Sequence, residues 1–201
     1  VYYTSDAPNW AYWVLLKEDD GSVTWRRYCT PTHDLVAKFD KEKDTRYASS
    51  ILWKSVPYDT YWPADSYPLS YKIREKTSNI ILMRLADILL LKAELDRTPE
   101  AIRIVNSIRE RAGFAPSSLD ENMGQARGRL AVENERQLEL YMEGQRWFDL
   151  VRNNRLLEVM QKHKDKDGRL LFAGLQAFRQ LWPIPQGEED KNTNPTQNEG
   201  Y

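Results

Sequence analysis

The sequence contains one cysteine, Cys29, and two histidines, His33 and His163. One thiol closes no disulfide within the chain, and no Cys/His group stands at metal-ligand spacing. Thiolate or imidazole metal catalysis is therefore excluded, and neither a metal nor a cofactor is expected. The flank Trp25-Arg26-Arg27-Tyr28 is bulky and charged, unlike the small apolar residues that precede a lipidated cysteine, so Cys29 reads as an ordinary thiol. An excess of charge of one sign is also missing. With 29 basic residues against 30 acidic ones the net charge is -1, which offers no field to nucleic acid or to anionic lipid. Val1 is followed by polar and aromatic residues instead of a basic start and an apolar core, so no signal peptide is read; either the protein is cytoplasmic or its beginning has been removed. No G-x-S-x-G element occurs, and two histidines leave a serine or cysteine nucleophile little choice of base.

What is present is a folding composition, 41% hydrophobic and 11% aromatic, in a length that suffices for one sizeable domain or two small ones. Five of the seven tryptophans (Trp10, Trp13, Trp25, Trp53, Trp62) and nine of the eleven tyrosines fall before residue 72, mixed with Pro, Asp, Ser and Thr without helical spacing. This predicts an aromatic-rich, mostly irregular lobe over residues 1–78. Within it, residues 18–22 form a turn between short extended runs at 12–17 and 23–28. Thr30-Pro31 supplies the start of one helix ahead of Leu35, Val36 and Phe39. The segment 53–62, WKSVPYDTYW, gathers Trp53, Tyr58, Tyr61 and Trp62 in a proline-containing loop. Such rings suit sugars, since pyranose C–H groups pack on an aromatic plane while the indole N–H or phenol O–H remains available. These four residues, with Trp10 and Trp13 next, are the candidate ligand contacts; the competing expectation for each ring is that it covers the core.

Residues 79–201 are predicted to be helical hairpins followed by an extended tail. Asn79 caps the run IILMRLADILLLKAEL, apolar almost all round, which predicts a helix buried between two layers. The run is too short, and too broken by Arg84 and Asp87, to span a membrane. Thr98-Pro99-Glu100 starts a second helix, whose Ala101, Val105, Ile108 and Ala112 share a face and which Gly113 stops. Ala86, Ala93 and Ala101 let the two helices approach, giving a hairpin close to a tetratricopeptide unit in length. Residues 115–129 read as a linker. Residues 130–160 read as a second hairpin broken near Gly144 or near Asn153-Asn154. KHKDKDGR at 162–169 is a solvated turn, and LWPIP at 181–185 is extended by its prolines.

The stretch LAVENERQLELYMEGQRWFDLVR (130–152) organises the chain. Projected as one helix, it places Leu138, Tyr141, Met142 and Phe148 in one sector and Arg136, Glu139, Glu143 and Arg146 in another. Gly144 either separates two helices or admits a neighbouring backbone. Glu139 and Glu143 are the candidate acid/base pair. The bland alternative makes them partners of Arg136 and Arg146 in a structural ion network, because nearby cations keep carboxylates ionised.

Glu135-Arg136, Glu139, Glu143-Gly144, Arg146-Trp147, Asp149-Leu150 and Arg152 resemble the ER-x-x-E-x-x-x-EG-x-RW-x-DL-x-R signature of the SusD/RagB family, ten positions in one unbroken spacing. Asp44-Thr45-Arg46 resembles the family's Asp-Pro-Arg, with Thr45 in place of proline. Arg84-Leu85-Ala86-Asp87, Ala93-Glu94, Asn106 with Ile108-Arg109, and Arg111-Ala112-Gly113 resemble its helical elements. LWPIP and the terminal residues 194–201 resemble its ending, with Glu199 in place of proline. The resemblance implies the C-terminal half of a surface lipoprotein of the outer membrane, whose lipid anchor lies in an N-terminal part not in this sequence. It implies a mainly α, tetratricopeptide-like scaffold that binds an oligosaccharide or polysaccharide for a SusC-like TonB-dependent transporter, with no catalysis. Arg136, Glu139, Glu143, Arg146 and Asp149 are then structural. The rivals are a peptide-binding helical-repeat module and a glycoside hydrolase using a carboxylate such as Asp59 or Asp65, for which nothing supplies a convincing partner.

Overall fold

In a computed structural model of the chain, the structure describes residues 3–4, 7–8, 15–17, 23–25, 30–55, 62–63, 65–72, 81–165, 167–192 and 196–201, the first four segments by backbone alone. The protein is mainly helical. It divides into two compact units, Val1–Arg146 and Trp147–Tyr201. That division follows contacts and differs from the compositional boundary at residue 78.

In the first unit, β1 (Tyr3–Thr4) pairs with β2 (Ala7–Pro8), and β3 (Leu15–Lys17) pairs antiparallel with β4 (Val23–Trp25), in register Leu15 to Trp25. The second pairing lies within the expected extended runs, and the turn expected at 18–22 lies outside the described residues. Helix α1 (His33–Lys38) begins one turn later than Thr30-Pro31 suggested. Its N-cap is Thr32, whose hydroxyl accepts a hydrogen bond from Leu35 N at 3.2 Å. Helix α2 (Arg46–Ser50) runs directly into β5 (Ile51–Lys54), which pairs antiparallel with β6 (Tyr67–Ser70). Trp53 therefore lies on a strand, not in a loop. All four β6 residues are buried, and Leu35, Val36, Phe39 and Ile51 close on Leu138 to form one core cluster.

Three helices make the larger core: α3 (Leu85–Leu95), α4 (Glu100–Arg111) and α5 (Gln125–Glu139). The predicted small residues Ala86, Ala93 and Ala101 are buried together with Leu90, Val105, Ile108 and Val132, so the α3–α4 hairpin packs as its spacing requires. Helix α4 ends in a Schellman motif, with Phe114 N donating to Arg109 O and Gly113 N to Glu110 O, both at 3.0 Å. Gly113 adopts φ +98°, and a Cβ there would stand 2.7 Å from Lys43 O. Helix α5 starts at Gln125, inside the stretch read as linker.

Two expectations about helical faces fail. Helix α3 is not buried between layers: Ala86, Asp87, Leu90 and Ala93 face the core, while Leu85, Ile88 and Leu95 are exposed, as are Leu82 (82% exposed) and Met83 just ahead of the helix. Its start is set by Arg84, whose extended backbone (φ -147°, ψ 164°) precedes the first turn, whereas Asn79 lies outside the described residues. Residues 130–152 are likewise not one helix. Helix α5 stops at Glu139, Met142 (φ 67°) and Gly144 (φ 76°) turn the chain, and α6 (Arg146–Arg152) starts afresh. The sector that joined Leu138 to Phe148 therefore dissolves: Leu138 is buried and Phe148 is exposed. Nothing stands within 4 Å of a Cβ built on Gly144, so this glycine serves the turn and not a close approach.

In the second unit, α6 is followed by α7 (Leu156–Met160) after Asn154 at φ 55°, so the chain breaks at both positions that the sequence offered. The charged turn at 162–169 is present, with the Asp165 carboxylate accepting from Asp167 N at 2.9 Å and from Arg169 N at 2.8 Å. The tail is clipped to LWPIP. Gln197 exchanges two hydrogen bonds with the Ile184 backbone (2.8 and 3.0 Å), Asn198 Nδ2 donates to Trp182 O, and Tyr201 OH donates to Leu181 O. A short α8 (Gln186–Glu189) separates the two clipped segments. No helix among the described residues is long and apolar enough to cross a membrane.

Gly113→Ala should lower the unfolding free energy by about 2–3 kcal/mol, since it adds a left-handed non-glycine residue to a backbone clash. Urea denaturation followed by circular dichroism measures it; a shift within about 0.5 kcal/mol would mean that the α4 terminus rearranges without penalty.

Candidate functional site

Of the six candidate sugar contacts, Trp53 and Trp62 are described; Trp10, Trp13, Tyr58 and Tyr61 lie outside the described residues. The two rings meet edge to face, 5.4 Å between centroids, and both are half-buried against the core that includes Leu35 and Leu138. Their polar ends face inward: Trp53 Nε1 donates to Tyr47 OH at 2.6 Å, and Trp62 Nε1 donates to Pro31 O at 2.8 Å. His33 lies 3.8 Å from the Trp62 ring, and Lys41 Nζ stands 5.7 Å from the Trp53 centroid. The pair therefore offers a ligand ring edges and partial faces, with its indole N–H groups already engaged.

The second feature is a buried ion cluster around the end of α5. Glu139 accepts from Arg46 at 2.8 Å, from Arg84 at 2.6 Å and from Arg111. Glu143 accepts from Arg84 Nε at 2.7 Å and from Lys72. Behind them Arg46 also binds Asp44 and Glu135, and Arg109 stands 3.5 Å from Glu135. The structural reading of Glu139 and Glu143 is thus right in kind but wrong in partners. Arg136, 1% exposed, faces Asp87 (2.9 Å) and Glu94 (3.3 Å) on α3, while Arg146 binds Glu133. Asp149 is buried and binds Arg152 at 2.8 Å. The partners come from α2, the head of α3 and the end of α4, because α5 ends at Glu139 and no same-face ladder continues beyond it.

The electrostatics follow from this arrangement. Burial works against the Glu139 carboxylate, but hydrogen bonds from Arg111, Arg84 and Arg46 outweigh it and hold the group down to about 2. Burial opposes the charge on Arg46 and Arg84 too, and their carboxylate partners reverse it, raising both. Glu135 is pushed up, chiefly by burial, against the pull of Arg46. Lys72 is pushed down, burial first, with its bond to Glu143 opposing and the charge of Arg84 adding. A carboxylate held ionised by three guanidinium groups is a poor general acid, which weighs against Glu139 in that role. Arg46, Arg84 and Arg111 stand within the family motifs, which do not reveal this pairing, and Lys72 stands in none of them.

A helical hairpin and α5, joined to a strand pair bearing aromatic side chains through one buried ion cluster, define a class of helical scaffold protein with an attached aromatic lobe. The model of the SusD family matches residues 59–201, and the chain belongs to that family. SusD-like protein P38 of Formosa agariphila is 34% identical over 164 residues, an alignment covering 76% of this chain and 30% of that protein. A SusD superfamily protein from Bacteroides vulgatus superposes with a TM-score of 0.68 at 23% identity, over 88% of this chain and 45% of the other. Surface glycan-binding protein A from Bacteroides uniformis gives 0.67 at 23% identity, over 96% and 47%. At these identities the superpositions establish the fold, with its tetratricopeptide-like helices. The chain spans about 30% of the length of the curated relative it matches.

Glu139→Gln should cost about 3 kcal/mol at pH 7, the scale of a carboxylate held about 2.5 pH units below its ordinary value. The folded-state value is depressed, so this stabilisation is complete above about pH 4.5 and fades as the pH falls toward 2. Urea titrations of both proteins between pH 7 and 3 should show the gap closing; a gap independent of pH would trace the loss to packing.

Proposed function

We propose that this chain is part of a surface protein that captures glycans and passes them to a SusC-like TonB-dependent transporter in the outer membrane. The protein would be held there by a lipid anchor outside this sequence and would carry out no bond-breaking chemistry of its own. Family membership over residues 59–201 is the observation that carries this reading. Further support comes from the fold neighbour in Bacteroides uniformis, which is a surface glycan-binding protein. The Trp53–Trp62 pair agrees with it, as two adjoining rings can meet the C–H face of a sugar. The charge-paired Glu139 and Glu143 agree with a non-enzymatic role. The remaining aromatic candidates, Trp10, Trp13, Tyr58 and Tyr61, belong to the same proposal.

The exposed apolar residues Leu85, Ile88 and Leu95 of α3, with Leu82 and Met83 just ahead of it, favour one second reading, a helical module that binds a peptide along α3. A glycan panel read by tryptophan fluorescence separates the two. Saturable binding of at least one oligosaccharide is expected, weakened about tenfold in Trp62→Ala and less in Trp62→Phe, the ~1.4 kcal/mol scale of one ring contact. Circular dichroism confirms that each variant is folded. Silence across plant, host and microbial glycans would transfer the function to α3.

A further inference from the structure

The ion cluster opens to solvent on one side. There a cleft of about 300 Å³ is lined by Arg46, Lys72, Arg84 and Arg111 together with Glu139 and Glu143. Its size is at the low end of small-ligand pockets, which run from roughly 300 Å³ upward. Four cations thus face the space with two carboxylates. The hydrogen-bond inventory is more lopsided than the charge count. Glu139 Oε1 takes Arg84 and Arg111, its Oε2 takes Arg46, and its main-chain oxygen takes both Lys72 and Arg84. Glu143 Oε1 takes Lys72 and Arg84, and its Oε2 takes Arg84 again. Each carboxylate oxygen of these two residues already accepts at least one hydrogen bond, and Oε1 of each accepts two.

The donors are not used up. A guanidinium carries five N–H donors, and among the described residues Arg111 directs one hydrogen bond, to Glu139, with its side chain 58% exposed. The Lys72 ammonium has three donors and among the described residues uses two, on Glu139 O and Glu143. The carboxylates lie beneath, 4% exposed, so what reaches the opening is cation and donor. The lowered Lys72 agrees: burial weakens its charge first, and the neighbouring Arg84 adds to the effect. An entering group that supplied negative charge and several lone pairs would relieve both shortages, and guanidinium binds such oxyanions through paired hydrogen bonds.

We propose that this cleft is a binding site for one oxyanion group, a carboxylate or a sulfate, held by Arg111 and Lys72 over the Glu139–Glu143 floor. The anion site stands on the cleft geometry alone. Its extension, that the captured glycan bears an acidic substituent such as a uronate carboxylate or a sulfate ester, rests on the glycan reading above.

The test is calorimetric titration of this chain with sodium sulfate and with sodium glucuronate, at constant ionic strength set with sodium chloride, and with neutral glucose as control. Saturable binding of sulfate, glucuronate or both is expected, with no heat from glucose. The affinity should fall about tenfold in Arg111→Gln, the loss of one charge-assisted contact. Arg103→Gln is the matched control: its side chain is equally exposed, at 58%, but pairs with Glu100 and Glu121 away from the cleft. Binding of sulfate alone assigns a sulfate ester, and binding of glucuronate alone assigns a uronate. The proposal is overturned if neither anion binds, or if Arg103→Gln weakens binding as much as Arg111→Gln. Neutral oligosaccharide binding without any anion affinity would sink this site and spare the capture role. Anion affinity with a silent glycan panel would do the reverse.

Discussion

One carboxylate, Glu139, accepts hydrogen bonds from three guanidinium groups that arrive from three separate parts of the chain: Arg46 on α2, Arg84 ahead of α3 and Arg111 at the end of α4. The three bonds tie those elements to the end of α5. A buried ion pair adds little net stability compared with a well-packed apolar contact, but it penalises every arrangement that leaves a charge unpaired. The cluster therefore acts mainly on geometry. It fixes where α3 may begin, because Arg84 needs an extended backbone to reach Glu139 and Glu143. It brings α2, and with it β5, against the end of α5. Gly113 belongs to the same constraint, since its left-handed turn lets the α4 terminus lie against Lys43 and Thr45, next to Asp44 and Arg46.

The hairpin of α3 and α4 was readable from sequence because its determinants are local: alanine spacing, a proline near the start, a glycine at the end. The ends of other elements depended on distant partners and were misjudged. Helix α5 begins inside a stretch whose Ser, Asn and Gly content suggested a linker, because Val132 and Leu138 are packed from other elements. The 130–152 segment shows the same limit from the other direction. Its charges looked like a ladder at helical spacing, yet α5 stops at Glu139 and each charge finds a partner far away in sequence, from Asp87 for Arg136 to Lys72 for Glu143. The family signature carried the right residues without their pairing, since a motif records which side chains are needed and not what they touch.

Helix α3 separates composition from placement in a similar way. Its apolar residues all round predict full burial, but the helix packs on α4 and α5 through one side, which leaves Leu85, Ile88 and Leu95 outside, with Leu82 and Met83 bare just ahead of it. Apolar residues grouped this way on a surface mark a contact surface more often than a solvated one. The prediction of buried character was thus a statement about what the helix requires, and this chain meets part of that requirement.

The aromatic lobe carries a related consequence for recognition. Trp53 and Trp62 commit their N–H groups to Tyr47 and to Pro31, so they hold the lobe together while presenting carbon surface. Carbon surface binds many sugars with small differences among them, whereas strong discrimination needs polar groups that would be left unpaired by the wrong ligand. Those groups must then come from elsewhere. The donor-rich cleft over Glu139 lies across Leu138 from the core that holds both tryptophans, since Leu138 lines the one and belongs to the other. One apolar residue thus belongs both to the wall of the cleft and to the core beneath the two rings. Leu138 and Glu139 are neighbours at the end of α5, so the ion cluster and the core that holds the tryptophan pair are anchored on the same turn of one helix.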